Sequence, residues 1–279
     1  MILIADSGAT KTDWCYGTEK DNYKIVQTEG INPFHQTEEK IQSIIEKDLL
    51  PQLPFPLQRC TAIYFYGAGC LPPQTQTILH SLQAYFSNAE INVETDLLGA
   101  ARALCKKSPG IACILGTGSN SCLYNGSQIT QHVSPLGYIL GDEGSGAYLG
   151  KRFVSDCLKG QLPEILCKGL LERFNLTIPE ILNRVYRQPQ ANRFLASLTP
   201  YIYEHKDMPQ VHSFLLECFG EFFRRNILLY PKNLPVSFSG SIAWYFHDEL
   251  TESAHSFQLP IGIFIKSPIE ELARYHFQK

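Results

Sequence analysis

Acids at the ends of apolar runs, hydroxyl residues interleaved with glycines, and one Asn-Pro turn are the parts of this chain that could do chemistry. Asp6-Ser7-Gly8-Ala9-Thr10-Lys11-Thr12-Asp13 follows the apolar run Met1 to Ala5. A buried strand delivers Asp6 to a hairpin tip, small residues let the backbone approach a ligand, and the hydroxyls of Ser7, Thr10 and Thr12 add donors. That combination suits phosphate. Leu115-Gly116-Thr117-Gly118-Ser119-Asn120-Ser121 repeats the design behind Ile111 to Ile114, so two matched cradles could grip one nucleotide from both sides. The plainer alternative for either turn is an ordinary glycine hairpin. Neither is a Walker loop, since the upstream glycine is missing and a strand-like segment follows, and neither opens a helix with G-x-G-x-x-G.

Asp6 could supply the oxygen ligand for a divalent ion such as Mg²⁺ bridging nucleotide phosphates, directly or through water; the alternative is a turn aspartate bonding its own backbone. Asp96 lies at a helix start after a strand, where its carboxylate could orient an attacking alcohol and accept its proton late in phosphoryl transfer; the alternative is a plain N-cap. Gly137-Tyr138-Ile139-Leu140-Gly141-Asp142-Glu143-Gly144-Ser145-Gly146 offers two adjacent carboxylates suited to vicinal sugar hydroxyls, or simply a charged helix start. Asn32, in Gly30-Ile31-Asn32-Pro33, could serve the same sugar or be a turn residue. Ser239-Gly240-Ser241, after a buried strand, would let an adenine or ribose lie against the backbone.

Positioning these groups requires strands alternating with helices. Ile2 to Ala5, Asp13 to Tyr16 and Lys24 to Gln27 read as a strand meander, followed by a helix capped at Thr37 with Ile41, Ile44, Ile45 and Leu49 on one face. Thr61 to Tyr66 and Ile91 to Glu94 read as strands around a helix opened by Pro72-Pro73. Thr95 or Asp96 caps the next helix, with Leu97, Leu98, Ala101, Leu104 and Cys105 as its buried stripe. Ser108-Pro109-Gly110 breaks the chain, and an Asn125-Gly126 turn marks a second meander. Beyond Asp142 the pattern is mostly helical, clearest at Val211, Phe214, Leu215, Cys218 and Phe222. Pro235 to Phe238 and Ile261 to Ile265 read as strands around one helix, Ala243 to His255. A terminal helix starts at Pro268 with Ile269, Leu272 and Tyr275 or His276 on one side.

The 279 residues exceed a typical single domain, so two domains with a cleft are expected. A net charge of −3 and a pI near 6.2 leave no electrostatic footprint for nucleic acid or an anionic membrane. Nine cysteines without C-x-x-C spacing argue against a disulfide framework or a zinc ribbon and fit reduced thiols in a cytoplasm. No segment reads as a signal peptide or membrane span. A small ligand is expected.

Taken in order, Asp6-Ser7-Gly8-Ala9-Thr10-Lys11-Thr12, Thr95-Asp96, Leu115-Gly116-Thr117-Gly118-Ser119-Asn120, Gly141-Asp142-Glu143-Gly144-Ser145 and Ser239-Gly240-Ser241 resemble the N-acetylglucosamine kinase family of the actin-like, sugar kinase and heat-shock ATPase superfamily. The resemblance implies an α/β fold of two ribonuclease H-like domains closing an interdomain cleft on ATP and Mg²⁺. The first would span residues 1–108 with the terminal helix 267–279, the second 109–266. It implies Asp96 as base for the sugar 6-hydroxyl, and Asn32, Leu136, Gly137 and Asp142 as further sugar contacts. ATP would meet Ser7, Gly8, Thr10, Lys11, Thr12, Gly116, Thr117, Gly118, Ser119, Ser239, Gly240, Ser241 and Ile242, with Asp6 on the metal side. Ser7 and Ala9 depart from the glycines frequent in the family and narrow the first cradle.

The expected activity is ATP-dependent phosphorylation of N-acetylglucosamine or a related N-acetylhexosamine in the cytoplasm, and similar kinases often form homodimers. N-acetylmuramic acid and glucosamine are alternative acceptors that differ only in pocket walls. Two readings from other classes are an activator ATPase of a 2-hydroxyacyl-CoA dehydratase-like system, which would need cysteines for an iron-sulfur cluster, and a non-catalytic sugar sensor.

Overall fold

The structure, a computed structural model, describes residues 1–8, 10–19 and 22–277. Strands β1 (Ile2–Ser7), β2 (Lys11–Glu19) and β3 (Asn22–Glu29) form an antiparallel meander. They outrun their apolar centres because ladder pairing continues into the polar ends, setting Asp6 opposite Asp13 and Ser7 opposite Thr12. Helix α1 (Glu38–Ile44) starts at Thr37, whose hydroxyl accepts from the Lys40 N–H, and Ile41, Ile44, Ile45 and Leu49 are all buried. From Ile45 to Leu49 the helix widens into a π-helical turn before Pro51. Strand β4 (Ala62–Gly67), α2 (Thr75–Gln83), β5 (Glu90–Thr95) and α3 (Asp96–Cys105) complete this run. The sheet order is β3-β2-β1-β4-β5, with β4 parallel to both β1 and β5.

On α3 the expected stripe needs correction: Leu98 and Cys105 are only half-buried, while Gly99, Ala100 and Ala103 join Leu97, Ala101 and Leu104 inside. Close approach is the reason, since a Cβ on Gly99 would lie 2.9 Å from the Tyr66 side chain.

The second sheet repeats the plan. Strands β6 (Gly110–Leu115), β7 (Ser119–Tyr124) and β8 (Ile129–Val133) are followed by helices α4 (Gly137–Leu140), α5 (Gly146–Leu158), α6 (Glu164–Arg173), α7 (Ile178–Tyr186), α8 (Ala191–Ala196), α9 (Thr199–Glu204) and α10 (Pro209–Arg225). Strand β9 (Val236–Ser239), α11 (Ser241–Tyr245), α12 (His247–Ser256) and β10 (Ile261–Ile265) then close the order β10-β9-β6-β7-β8. The single helix expected over residues 243–255 is two helices, broken at Phe246, whose ring is buried in the core. On α10, Val211, Phe214, Leu215, Cys218 and Phe222 all face inward.

Helix α13 (Ile269–His276) packs on α3, β1 and β2, burying Ile269, Leu272 and His276 but not Tyr275. Tyr66 Oη lies 2.8 Å from His276 Nε2 and accepts from Arg102 Nη1 at 2.7 Å. The chain divides into two compact units. The first comprises Met1–Ser108, Asn125–Ile129 and Ser267–Lys279; the second comprises Pro109–Tyr124 and Thr130–Lys266. Each has its own apolar core.

Candidate active site

In the first unit the hairpin tip between β1 and β2 is closed by Gly8 N–H donating to the Lys11 carbonyl at 3.0 Å. Ala9 lies outside the described residues. Of the hydroxyls expected to line this cradle, only Thr10 is exposed. Ser7 and Thr12 are fully buried: their oxygens are 2.6 Å apart, Ser7 Oγ donates to the Ile31 carbonyl, and the Ile31 N–H reaches both. Cross-strand pairing turns residues 7 and 12 to the same inner side, so these two hydroxyls lock the hairpin to Gly30-Ile31 instead of offering donors to a phosphate. Lys11 is likewise committed, its ammonium held by Asp13 at 3.0 and 2.7 Å.

Asp13 is a residue that the sequence reading passed over. Its carboxylate is almost fully buried and also accepts from Gln27 Nε2 at 2.6 Å and Ser267 Oγ at 3.3 Å. Its place opposite Asp6, mirrored about the hairpin tip, was the available signal. Asp6 itself belongs to β1, not to the turn, which removes the self-bonded turn aspartate as an explanation. Burial first, then the charges of Asp13 and Asp96, push the Asp6 pKa up to about 7, against the lowering influence of Lys11 and Ser267. Such a carboxyl would gain from a dication, and Mg²⁺ characteristically uses one or two carboxylates while phosphates and water complete its shell. Among the described residues no three His, Cys, Asp or Glu side chains converge to hold a metal by themselves.

Asp96 is the first residue of α3, and the cap is Thr95, whose hydroxyl accepts from the Leu98 N–H at 3.2 Å. Asp96 is therefore not the N-cap. Its Oδ1 accepts from Leu97 N–H at 2.9 Å, and burial pushes its pKa up to about 6 even though the helix-start N–H groups oppose the shift. Asn32 approaches Gly69, where a Cβ would lie 2.3 Å from Asn32 Oδ1. That oxygen accepts from Phe34 N–H at 3.0 Å, a turn contact that leaves the amide nitrogen as the group able to meet a sugar hydroxyl.

In the second unit three of the sequence segments meet. Gly116 N–H donates to the Gly118 carbonyl at 2.9 Å, and the Gly116 and Thr117 carbonyls accept from Gly146 and Ala147 at the start of α5. Gly240, at φ +112°, lies against the same loop, since a Cβ there would be 2.3 Å from the Leu115 carbonyl. Only glycine fits that approach. Ser241 is exposed beside it, whereas Ser239 is buried with its hydroxyl toward the Cys113 carbonyl and Ile242 is buried against Gly146. The Ser239 and Ile242 side chains thus pack under the turn, and what the turn presents outward is its backbone and Ser241.

Asp142 adopts φ +55°, a left-handed conformation that aims its carboxylate at the cradle: a Cβ on Gly118 would be 3.0 Å from Oδ2, and Ser119 N–H donates to Oδ1 at 3.4 Å. Burial raises its pKa to about 6, with Ser119 N–H and Lys151 resisting and Glu143 adding to the rise. Glu143 is engaged elsewhere: Asn226 Nδ2 donates to it at 3.4 Å and Arg225 stands 3.7 Å away. Leu136, also left-handed and well exposed, and Gly137 precede this turn, which closes through Gly141 N–H to the Gly137 carbonyl at 2.8 Å.

No protein-family model matches the chain. Over its whole length it is 46% identical to the crystal structure of a provisionally assigned N-acetylglucosamine kinase from Porphyromonas gingivalis, covering 99% of that chain with a TM-score of 0.97. An N-acetylmuramic acid/N-acetylglucosamine kinase of Clostridium acetobutylicum is 27% identical over 211 residues, 71% of this chain and 68% of the relative. A glucokinase of the ROK family from Streptomyces griseus, solved with glucose and AMPPNP, shares the fold at 13% identity and a TM-score of 0.57, with 98% of this chain and 97% of that one covered. Paired sheets of one plan, glycine-built loops at strand ends and this full-length identity place the chain in the N-acetylglucosamine kinase family of the actin-like ATPase superfamily.

Proposed function

We propose that the protein transfers the γ-phosphoryl group of ATP to the 6-hydroxyl of N-acetylglucosamine or a closely related N-acetylhexosamine. The observation that carries this reading is Asp96: a carboxylate freed from capping by Thr95, fixed by Leu97 N–H, and ionised at neutral pH. Asp96 orients the sugar hydroxyl and takes its proton as the bond to phosphorus forms, a positioning role suited to a loose transition state. Asn32 and Asp142 would hold other sugar hydroxyls. Gly8, Thr10, Gly116, Thr117, Gly118, Gly240 and Ser241 would meet the nucleotide, through the hydroxyls of Thr10, Thr117 and Ser241 and the close backbone approach that the glycines allow. Mg²⁺, held on the Asp6 side, would supply charge neutralisation of the phosphates.

A coupled ADP-release assay against N-acetylglucosamine, N-acetylmuramic acid, N-acetylmannosamine and glucose tests the reading. Turnover on N-acetylglucosamine is expected, and no turnover on any of them sinks it. N-acetylmuramic acid is a second acceptor to include because the Clostridium relative carries both names. A cytoplasmic location agrees with nine free cysteines and with the finding that no helix among the described residues is long and apolar enough to cross a membrane.

A further inference from the structure

We propose that Lys151 is a positioning residue: its ammonium clasps the α4 turn and so sets Leu136, Gly137 and Asp142 in the geometry that receives the acceptor sugar. What the turn binds rests on the kinase reading, whereas the clasp itself does not. The backbone from Leu136 to Asp142 is demanding. Leu136, Gly137 and Asp142 are left-handed at φ +61°, +74° and +55°, and two of the three carry a Cβ. Such conformations persist only where the surroundings hold them. Two hydrogen bonds close the turn on itself, from Gly141 N–H to the Gly137 carbonyl at 2.8 Å and from Asp142 N–H to the Pro135 carbonyl at 2.9 Å. A helix of four residues adds little of its own, and apolar packing adds little more, since Leu136, Ile139 and Leu140 are 62%, 71% and 73% exposed.

Beside the turn lies a cavity of about 190 Å³, lined in part by Leu140, Gly141 and Lys151. From the second turn of α5, Lys151 Nζ reaches the turn and donates to the Tyr138 carbonyl at 2.7 Å. One bond therefore anchors the short α4 to the long α5. The lysine is itself held, with its ammonium 5.4 Å from the centroid of the Tyr148 ring one turn earlier on the same helix. Burial pulls its pKa down, against the raising charges of Glu143 and Asp142, the two acids that end the turn. Helix α5 is in turn fixed at its start, where Gly146 and Ala147 donate to the Gly116 and Thr117 carbonyls at 2.8 and 3.0 Å. The Lys151 bond thus ties the turn that would hold the sugar to the helix on which the nucleotide cradle rests.

Lys151→Met keeps the apolar stem and removes the donor, and Lys151→Arg keeps a donor. The test combines steady-state kinetics at pH 8, where Asp142 is ionised, with hydrogen–deuterium exchange of the ligand-free full chain. Lys151→Met should raise the N-acetylglucosamine KM about tenfold or more while kcat and the ATP KM stay within about twofold of wild type, the pattern of lost ground-state binding. In that variant the Gly141 and Asp142 amides should exchange faster, with α10 as protected as in wild type. Lys151→Arg should recover most of both effects. An unchanged sugar KM in Lys151→Met would overturn the proposal, as would a raised KM with unchanged exchange, which would mean that Lys151 touches the sugar itself. A joint fall in kcat, both affinities and thermal stability would overturn it too, by making the role merely structural. Wild-type protein without turnover on any sugar would instead remove the kinase reading, and unchanged exchange at Gly141 and Asp142 would still remove the clasp.

Discussion

Asp96 illustrates how one residue can be displaced from a routine job. Thr95 satisfies the helix start, so the neighbouring carboxylate carries no structural duty that an amide could not also fill by accepting from Leu97 N–H. Asp96→Asn should therefore fold normally and bind ATP with near wild-type affinity while kcat falls by roughly 10²–10⁴, the range for losing a positioned base. Near-normal kcat in that variant would remove Asp96 from the mechanism. With its pKa near 6, Asp96 is ionised above that value, so if it is the base that we propose, kcat/KM should drop as pH falls through about 6, and a pH–rate profile measures the limb directly. The place of Asp96 at a helix start and the glycine turns behind two strands were legible in the sequence because caps and tight turns require particular residue types. The partner of Lys11 was passed over although a signal existed: Asp13 stands two residues on in the same strand, and side chains at that spacing share a face.

At the scale of elements, strand pairing decides what a hydroxyl does. Ser7 and Thr12 looked like phosphate donors from their neighbours in the chain, yet the β1–β2 register faces them inward onto Ile31. Ser7→Ala should thus cost stability, about 1–3 kcal/mol for a buried hydrogen-bond group left unmatched, with the ATP KM little changed. Urea unfolding together with steady-state kinetics separates the outcomes: unchanged stability with a tenfold higher KM would return Ser7 to the nucleotide. Caps at Thr37 and Thr95 and the inward face of α10 were readable from local chemistry. The break at Phe246 and the small-residue face of α3 were not, because tertiary contacts, the Phe246 ring in the core and Gly99 on Tyr66, chose them.

For the whole molecule, acid should stabilise the ligand-free protein over a defined window. Asp6, Asp96 and Asp142 have folded pKa values near 7, 6 and 6 against 3.8 as the ordinary value, so the folded state holds more protons between about pH 4 and 7. Stability then falls as pH rises through that range, and thermal unfolding should occur at a lower temperature at pH 7.5 than at pH 5.5. A flat or reversed profile would mean that these carboxyls are not penalised by burial. Leu272, fully buried in α13, ties a late segment to an early sheet; Leu272→Ala should cost about 2–5 kcal/mol in chemical unfolding. The same segment sets an order of events on the ribosome. Ser267 to Phe277 is made only after all of the second unit, so the first-made sheet must wait, with the surface beneath α13 bare, while a later-made body is free to finish first. A nascent chain cut short anywhere before that helix would leave this gap uncovered, with the surface that receives Ile269 and Leu272 open to water.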